Sequence, residues 1–230
     1  MHDDCYEALN WAVSREIVTT YRIDPTRMGL WGCSAGAHLG ATVLLWDARE
    51  HNPSRIRQAS LVIPAVCHPD AFNGHLKEVF EKRKQTYLKE TPSAFFGHIE
   101  NLFGNPPLVS YIYSSFSRSH ARFSAAIITT PPLTPTNPLV SPLLSPSLPL
   151  HHPPTHITVA GCDILCDQGI AYAMRLRDAG IDTALEVVPG VPHVFTWIAK
   201  SKATIQWTRG QIKVFNAAFE GHASSVVHTD

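Results

Sequence analysis

The chain has 230 residues, enough for one α/β domain or two small ones, and its 19 Lys and Arg balance its 19 Asp and Glu. That neutrality removes the basic excess on which a phosphate-backbone binder relies, so no nucleic-acid partner is expected. A hydrophobic fraction of 44% beside 17% charged residues excludes wholesale disorder, and without an apolar run of about 18 residues no membrane span is expected.

The polar start Met1-His2-Asp3-Asp4 is unlike a signal peptide. From residue 4 to about 20, Cys5, Leu9, Ala12, Val13 and Ile17 recur at helical spacing, with Asp3 or Asp4 as candidate N-cap. Ile23-Asp24-Pro25 ends that pattern, and residues 27–31 read as a short buried strand. Gly32-Cys33-Ser34-Ala35-Gly36 makes a sharp turn into a helix predicted over 35–46, and a second strand is predicted over 59–63, stopped by Pro64.

Residues 66–150 differ in composition and are expected to form a cap or insertion carried within a single domain spanning 1–230. A charged stretch over 77–90 reads as a solvated helix. After it come Phe95, Phe96, Phe103, Tyr111, Tyr113 and Phe116, then many prolines between Pro131 and Pro154. Alternation resumes with a strand over 155–160. A helix over 168–179 follows, with Asp167 as its expected cap and Gly180 as its stop. A fourth strand over 183–188, the loop Pro189-Gly190-Val191-Pro192-His193, a last helix over 202–219 and a frayed tail complete the chain. Strands alternating with helices predict a mainly parallel sheet covered on both faces.

Five scattered cysteines, Cys5, Cys33, Cys67, Cys162 and Cys166, are not a disulfide framework. They read as free thiols of a reducing, cytoplasmic setting. Thirteen histidines are many, yet no HExxH or CxxC…CxxC spacing appears. No metal site is expected, and most histidines are read as loop and surface residues.

The chemistry is best sought at Gly32-x-Ser34-x-Gly36. A Gly-x-Ser-x-Gly turn between strand and helix holds its serine in a strained conformation above the sheet, at a helix N-terminus that favours developing negative charge. Gly32 and Gly36 are expected to remove side chains that would collide with the neighbouring strand and helix. A serine nucleophile needs a base, and the base an orienting carboxylate. Asp163 follows the third strand and His193 the fourth, in the order Ser…Asp…His. The bland alternatives are a glycine-rich turn, a turn carboxylate and a loop histidine.

Several segments resemble the hormone-sensitive-lipase-like carboxylesterases of the α/β-hydrolase fold-3 group. They are Asp24-Pro25-Thr26-Arg27-Met28-Gly29-Leu30-Trp31-Gly32-Cys33-Ser34-Ala35-Gly36-Ala37-His38-Leu39, residues 139–146 (LVSPLLSP), residues 159–169 (VAGCDILCDQG), and the runs 172–180 and 188–195. The resemblance implies an α/β-hydrolase fold, Ser34 as nucleophile, Asp163 as orienting acid and His193 as general base. It implies no cofactor, and a small-molecule ester as substrate. Cys33 stands where family members usually carry Asp. The family's His-Gly-Gly-Gly oxyanion loop has no counterpart in the 230 residues. The chain is therefore expected to begin after that loop, leaving the Ala35 N–H as its oxyanion donor, the strand over 27–31 as an uncovered apolar edge, and a slow catalyst. Three functions stay open at this point: a serine carboxylesterase, a peptidase or amidase on the same fold, and a truncated or degenerate hydrolase without catalysis, either a binding module or an inactive fragment.

Overall fold

A computed structural model describes residues 2–89, 133–193 and 195–220. Four parallel strands form its sheet in the order β1-β2-β3-β4: β1 Met28–Cys33, β2 Ile56–Val62, β3 Thr155–Ala160 and β4 Thr183–Val188. Between and around them lie α1 His2–Ala12, α2 Arg15–Tyr21, α3 Ala35–Glu50, α4 Gly74–Lys89, α5 Cys166–Asp178 and α6 Lys202–Phe219. No described helix is long and apolar enough to cross a membrane.

Side-chain parity along the strands assigns the two faces. Ala59 and Leu61 of β2 and Ile157 and Val159 of β3 share one buried cluster with Ala37, Ala41 and Leu44 of α3 and Tyr172, Ala173 and Leu176 of α5. The alternate positions, Val62, Ala160 and Val188, pack with Phe195 and with Trp207 of α6 on the other face. The sheet is thus covered on both sides, as the alternation of elements predicts. The α6 face is partly polar. The Ser60 hydroxyl donates to Gln211 Oε1, and Gln211 Nε2 donates to Thr158 Oγ1 at 3.3 Å.

Among the described residues β1 is an edge strand, and Trp31 on it is 53% exposed. Gly29 on the same strand lets α6 approach, because a Cβ there would stand 2.9 Å from the Phe215 ring.

Several boundaries differ from the sequence reading. The helix expected over 4–20 is two helices, because Ser14 caps a new one by accepting the Ile17 N–H. Asp3 and Asp4 lie in the first turn of α1 rather than before it. β2 begins at Ile56, earlier than expected, and its exposed Arg57 donates to the Thr26 carbonyl at 3.1 Å. Asp167 is not the cap of α5: the helix starts at Cys166, so Asp167 sits inside its first turn. His38, His68, His152, His156 and His193 are all buried, so the histidines are less peripheral than expected.

The described end of the 66–150 segment is tied down firmly. Arg175 of α5 donates to the carbonyls of Leu143 and Ser145, and Arg49 of α3 donates to Ser145 Oγ at 2.9 Å. The aromatics Phe95, Phe96, Phe103, Tyr111, Tyr113 and Phe116, and the tail from residue 221, lie outside the described residues.

Candidate active site

Ser34 ends the run from β1 into α3, with φ 54° and ψ −113°. A non-glycine residue there is strained by about 1–3 kcal/mol and persists only where its surroundings fix it. They do so here: the Ser34 N–H donates to the Val62 carbonyl at 2.8 Å, and the Ser34 carbonyl accepts the His38 N–H at 3.0 Å. Gly32 is required, because a Cβ on it would lie 2.4 Å from the Gly36 carbonyl oxygen. Gly36 is different. Nothing described lies within 4 Å of a Cβ built there, so the collision expected for it is not found. Gly36 is exposed at the first turn of α3.

The three residues singled out in sequence come together. Ser34 Oγ lies 2.8 Å from His193 Nε2, and His193 Nδ1 lies 2.7 Å from Asp163 Oδ2. Asp163 is 1% exposed and His193 8%, so both ends of the second bond are withdrawn from water. A carboxylate only accepts, so His193 carries its proton on Nδ1 and presents the Nε2 lone pair to the Ser34 hydroxyl. The other Asp163 oxygen, Oδ1, accepts the Leu165 N–H at 3.0 Å and so fixes the carboxylate plane.

Ala35 is the first residue of α3, where an N–H has no carbonyl partner within the helix and the helix dipole favours negative charge. Cys33, beside the nucleophile, is half-buried. Burial pushes its thiol pKa up, the Thr196 hydroxyl beside it opposes that shift, and the Asp163 charge adds to it. Among the described residues no group of three or more His, Cys, Asp and Glu side chains is placed to hold a metal ion. A surface cavity of about 460 Å³ between α1 and α3, lined by Tyr6, Asn10, Trp46, Glu50 and His51, contains none of the three residues.

Sequence reasoning missed the residues that hold the His193 loop from behind. Phe195, Thr204 and Trp207 are all buried there. Phe195 fell within a matching segment, but no local spacing marks Thr204 or Trp207.

Comparison with known proteins places this geometry in context. An AB hydrolase superfamily protein of Schizosaccharomyces pombe is 27% identical over 199 residues, which is 86% of this chain and 50% of that one. Rabbit (Oryctolagus cuniculus) arylacetamide deacetylase is 24% identical over 205 residues, 78% of this chain and 51% of the other. The chain therefore spans about half the length of these curated relatives. Carboxyl esterase 2 of Tuber melanosporum shares the fold with a TM-score of 0.66 at 21% identity, covering 94% of this chain and 62% of that one. The profile of the alpha/beta hydrolase fold matches residues 1–197. With the strand–serine–helix turn and the parallel sheet in place, that match settles the ancestry: the chain belongs to the alpha/beta hydrolase fold family.

Proposed function

We propose that the chain is a serine hydrolase that cleaves small, uncharged carboxylic esters through an acyl-enzyme, with Ser34 as nucleophile, His193 as general base and Asp163 as orienting acid. The observation that carries the reading is the continuous chain of hydrogen bonds from Ser34 Oγ through His193 to Asp163, at 2.8 and 2.7 Å. Two of the similar proteins bear the names arylacetamide deacetylase and carboxyl esterase, which agrees with acyl transfer.

In this mechanism His193 Nε2 takes the Ser34 proton as Oγ attacks the ester carbonyl carbon. The resulting oxyanion forms near the α3 N-terminus, where the Ala35 N–H is a donor. His193 returns the proton to the departing alkoxide, leaving an ester of Ser34. Water then repeats the sequence: His193 takes its proton, the acyl carbon is attacked, and the proton goes back to Ser34 as the acid leaves. Asp163 stabilises the imidazolium in both halves and keeps the tautomer that the first step needs. No step calls for a cofactor.

The test is hydrolysis of p-nitrophenyl butyrate by the chain and by its Ser34→Ala variant. The reading expects a rate above background that disappears in the variant. A rate unchanged by Ser34→Ala would overturn it.

A further inference from the structure

His193 lies on a loop after β4, so the sheet alone does not fix its ring. The loop is held at both ends. On the near side the Cys162 N–H donates to the Val191 carbonyl at 2.9 Å, tying the His193 loop to the Asp163 loop. On the far side the Phe195 N–H closes a turn onto the Pro192 carbonyl at 3.1 Å. That turn is gripped from α6 at two points. The Thr204 hydroxyl donates to the Phe195 carbonyl at 2.6 Å, and the Trp207 ring meets the Phe195 ring edge to face at 5.4 Å. Trp207 in turn donates its Nε1–H to Thr158 Oγ1 of β3 at 3.2 Å, so the grip is referred back to the sheet.

Thr204 is 4% exposed, and capping does not account for its side chain. Ser201 is the N-cap of α6 and accepts the Thr204 backbone N–H at 3.0 Å, a bond that any residue at 204 except proline would make. The Ser201 hydroxyl also lies 2.7 Å from Thr204 Oγ1. If it donates there, it leaves the Thr204 proton to the Phe195 carbonyl. That carbonyl also accepts the Ile198 N–H at 3.1 Å. Removing the Thr204 hydroxyl would therefore leave no orphaned carbonyl in the interior. It would cut only the link between helix and turn.

We propose that Thr204 is a positioning residue for His193, its hydroxyl setting the turn from Pro192 to Phe195 so that Nε2 meets Ser34 and Nδ1 meets Asp163. The inference rests on the Ser34–His193–Asp163 reading given above. Thr204→Val keeps the shape and removes the hydroxyl, whereas Thr204→Ser keeps the hydroxyl and removes a methyl.

Two measurements are made on the 230-residue chain and both variants. The first is the saturating rate of Ser34 phosphonylation by a fluorophosphonate, with its half-saturating concentration. The second is the low-field proton resonance of His193 Nδ1–H, assigned by its loss in His193→Gln. Small displacements of reacting groups are expensive, so Thr204→Val is expected to slow phosphonylation by about 10-fold or more at an unchanged half-saturating concentration. Its Nδ1–H resonance is expected to broaden or move upfield, while Thr204→Ser keeps both the rate and the resonance. Thr204→Val that reacts at the wild-type rate, or Thr204→Ser as slow as Thr204→Val, would overturn the proposal. So would a resonance unmoved in Thr204→Val.

If Thr204→Val does not fold, Ser201→Asp serves instead. It keeps a cap acceptor but draws the Thr204 proton away from the Phe195 carbonyl, and the same slowing and the same shift are expected. If the wild-type chain is not phosphonylated at all, the reading of Ser34 as nucleophile fails. The Nδ1–H resonance needs no turnover and decides the role of Thr204 separately.

Discussion

Asp163→Asn exchanges one carboxylate oxygen for an amide nitrogen and leaves the shape of the side chain almost untouched. The amide oxygen can take over the Leu165 N–H, now held by Oδ1 at 3.0 Å, so the loop keeps its conformation. The amide NH2 then faces His193 Nδ1, at the position from which Oδ2 now accepts at 2.7 Å. Two donors cannot face each other, so the imidazole proton moves to Nε2. That nitrogen stands 2.8 Å from Ser34 Oγ and becomes a donor to the group it must deprotonate. By analogy with other triads the loss is about 10⁴ in rate, or between 5 and 6 kcal/mol of barrier at roughly 1.4 kcal/mol per tenfold. The assay is the second-order rate of fluorophosphonate labelling beside a thermal melt, with Asp167→Asn as control. Asp167 lies in the first turn of α5, where its charge contributes about 0.3–1 kcal/mol through the helix dipole and nothing to the rate. Asp163→Asn reacting within about tenfold of wild type, or the larger loss appearing in Asp167→Asn, would refute the reasoning.

Three further outcomes follow from the geometry. Ser34→Gly should be more stable than Ser34→Ala by about 1–3 kcal/mol in urea unfolding, because only glycine relaxes at φ 54° and ψ −113°; equal midpoints would show the elbow is unstrained. Gly32→Ala, whose Cβ would meet the Gly36 carbonyl at 2.4 Å, should lower stability far more than Gly36→Ala, whose Cβ meets nothing described; the reverse order of Tm values would reject the packing described. Burial pushes the pKa of His38 and His152 down to about 4, so the unfolded chain binds protons more readily than the folded one between about pH 6.5 and 4. Stability is then full above that window and falls on acidification by roughly 3 kcal/mol for each histidine, and a urea midpoint that is flat from pH 7 to 4 would contradict it.

The three candidate residues that the structure brings together could be singled out in the sequence because each signal is local. Gly32-x-Ser34-x-Gly36 sits between a strand and a helix, and Asp163 and His193 each follow an apolar alternating run that ends in loop residues. The alternation of strands with helices pointed to a parallel sheet covered on both faces, and the two buried clusters lie on those faces. What escaped was set by single side chains or by distance along the chain. The apolar spacing runs on through Ile17, yet one hydroxyl, that of Ser14, starts a second helix. Arg57 and Gln58 hid the start of β2: the arginine reaches outward to Thr26, and the buried Gln58 amide donates to the neighbouring Ala59 carbonyl. Asp167 lost its expected capping place because Asp163 opens the turn itself, its carbonyl accepting the Cys166 N–H at 3.1 Å. The α6 grip on the His193 loop, and the Gln211 bridge to Ser60, join residues far apart in sequence, and no periodicity records such contacts.

The central claim is that Ser34 is a nucleophile activated by His193. The most direct measurement is mass spectrometry of the chain after incubation with a fluorophosphonate, mapping the adduct by peptide. A single adduct on Ser34, absent in Ser34→Ala and strongly slowed in His193→Gln, is the expected result. An adduct on another residue, or one on Ser34 that forms as fast without His193, would contradict the account.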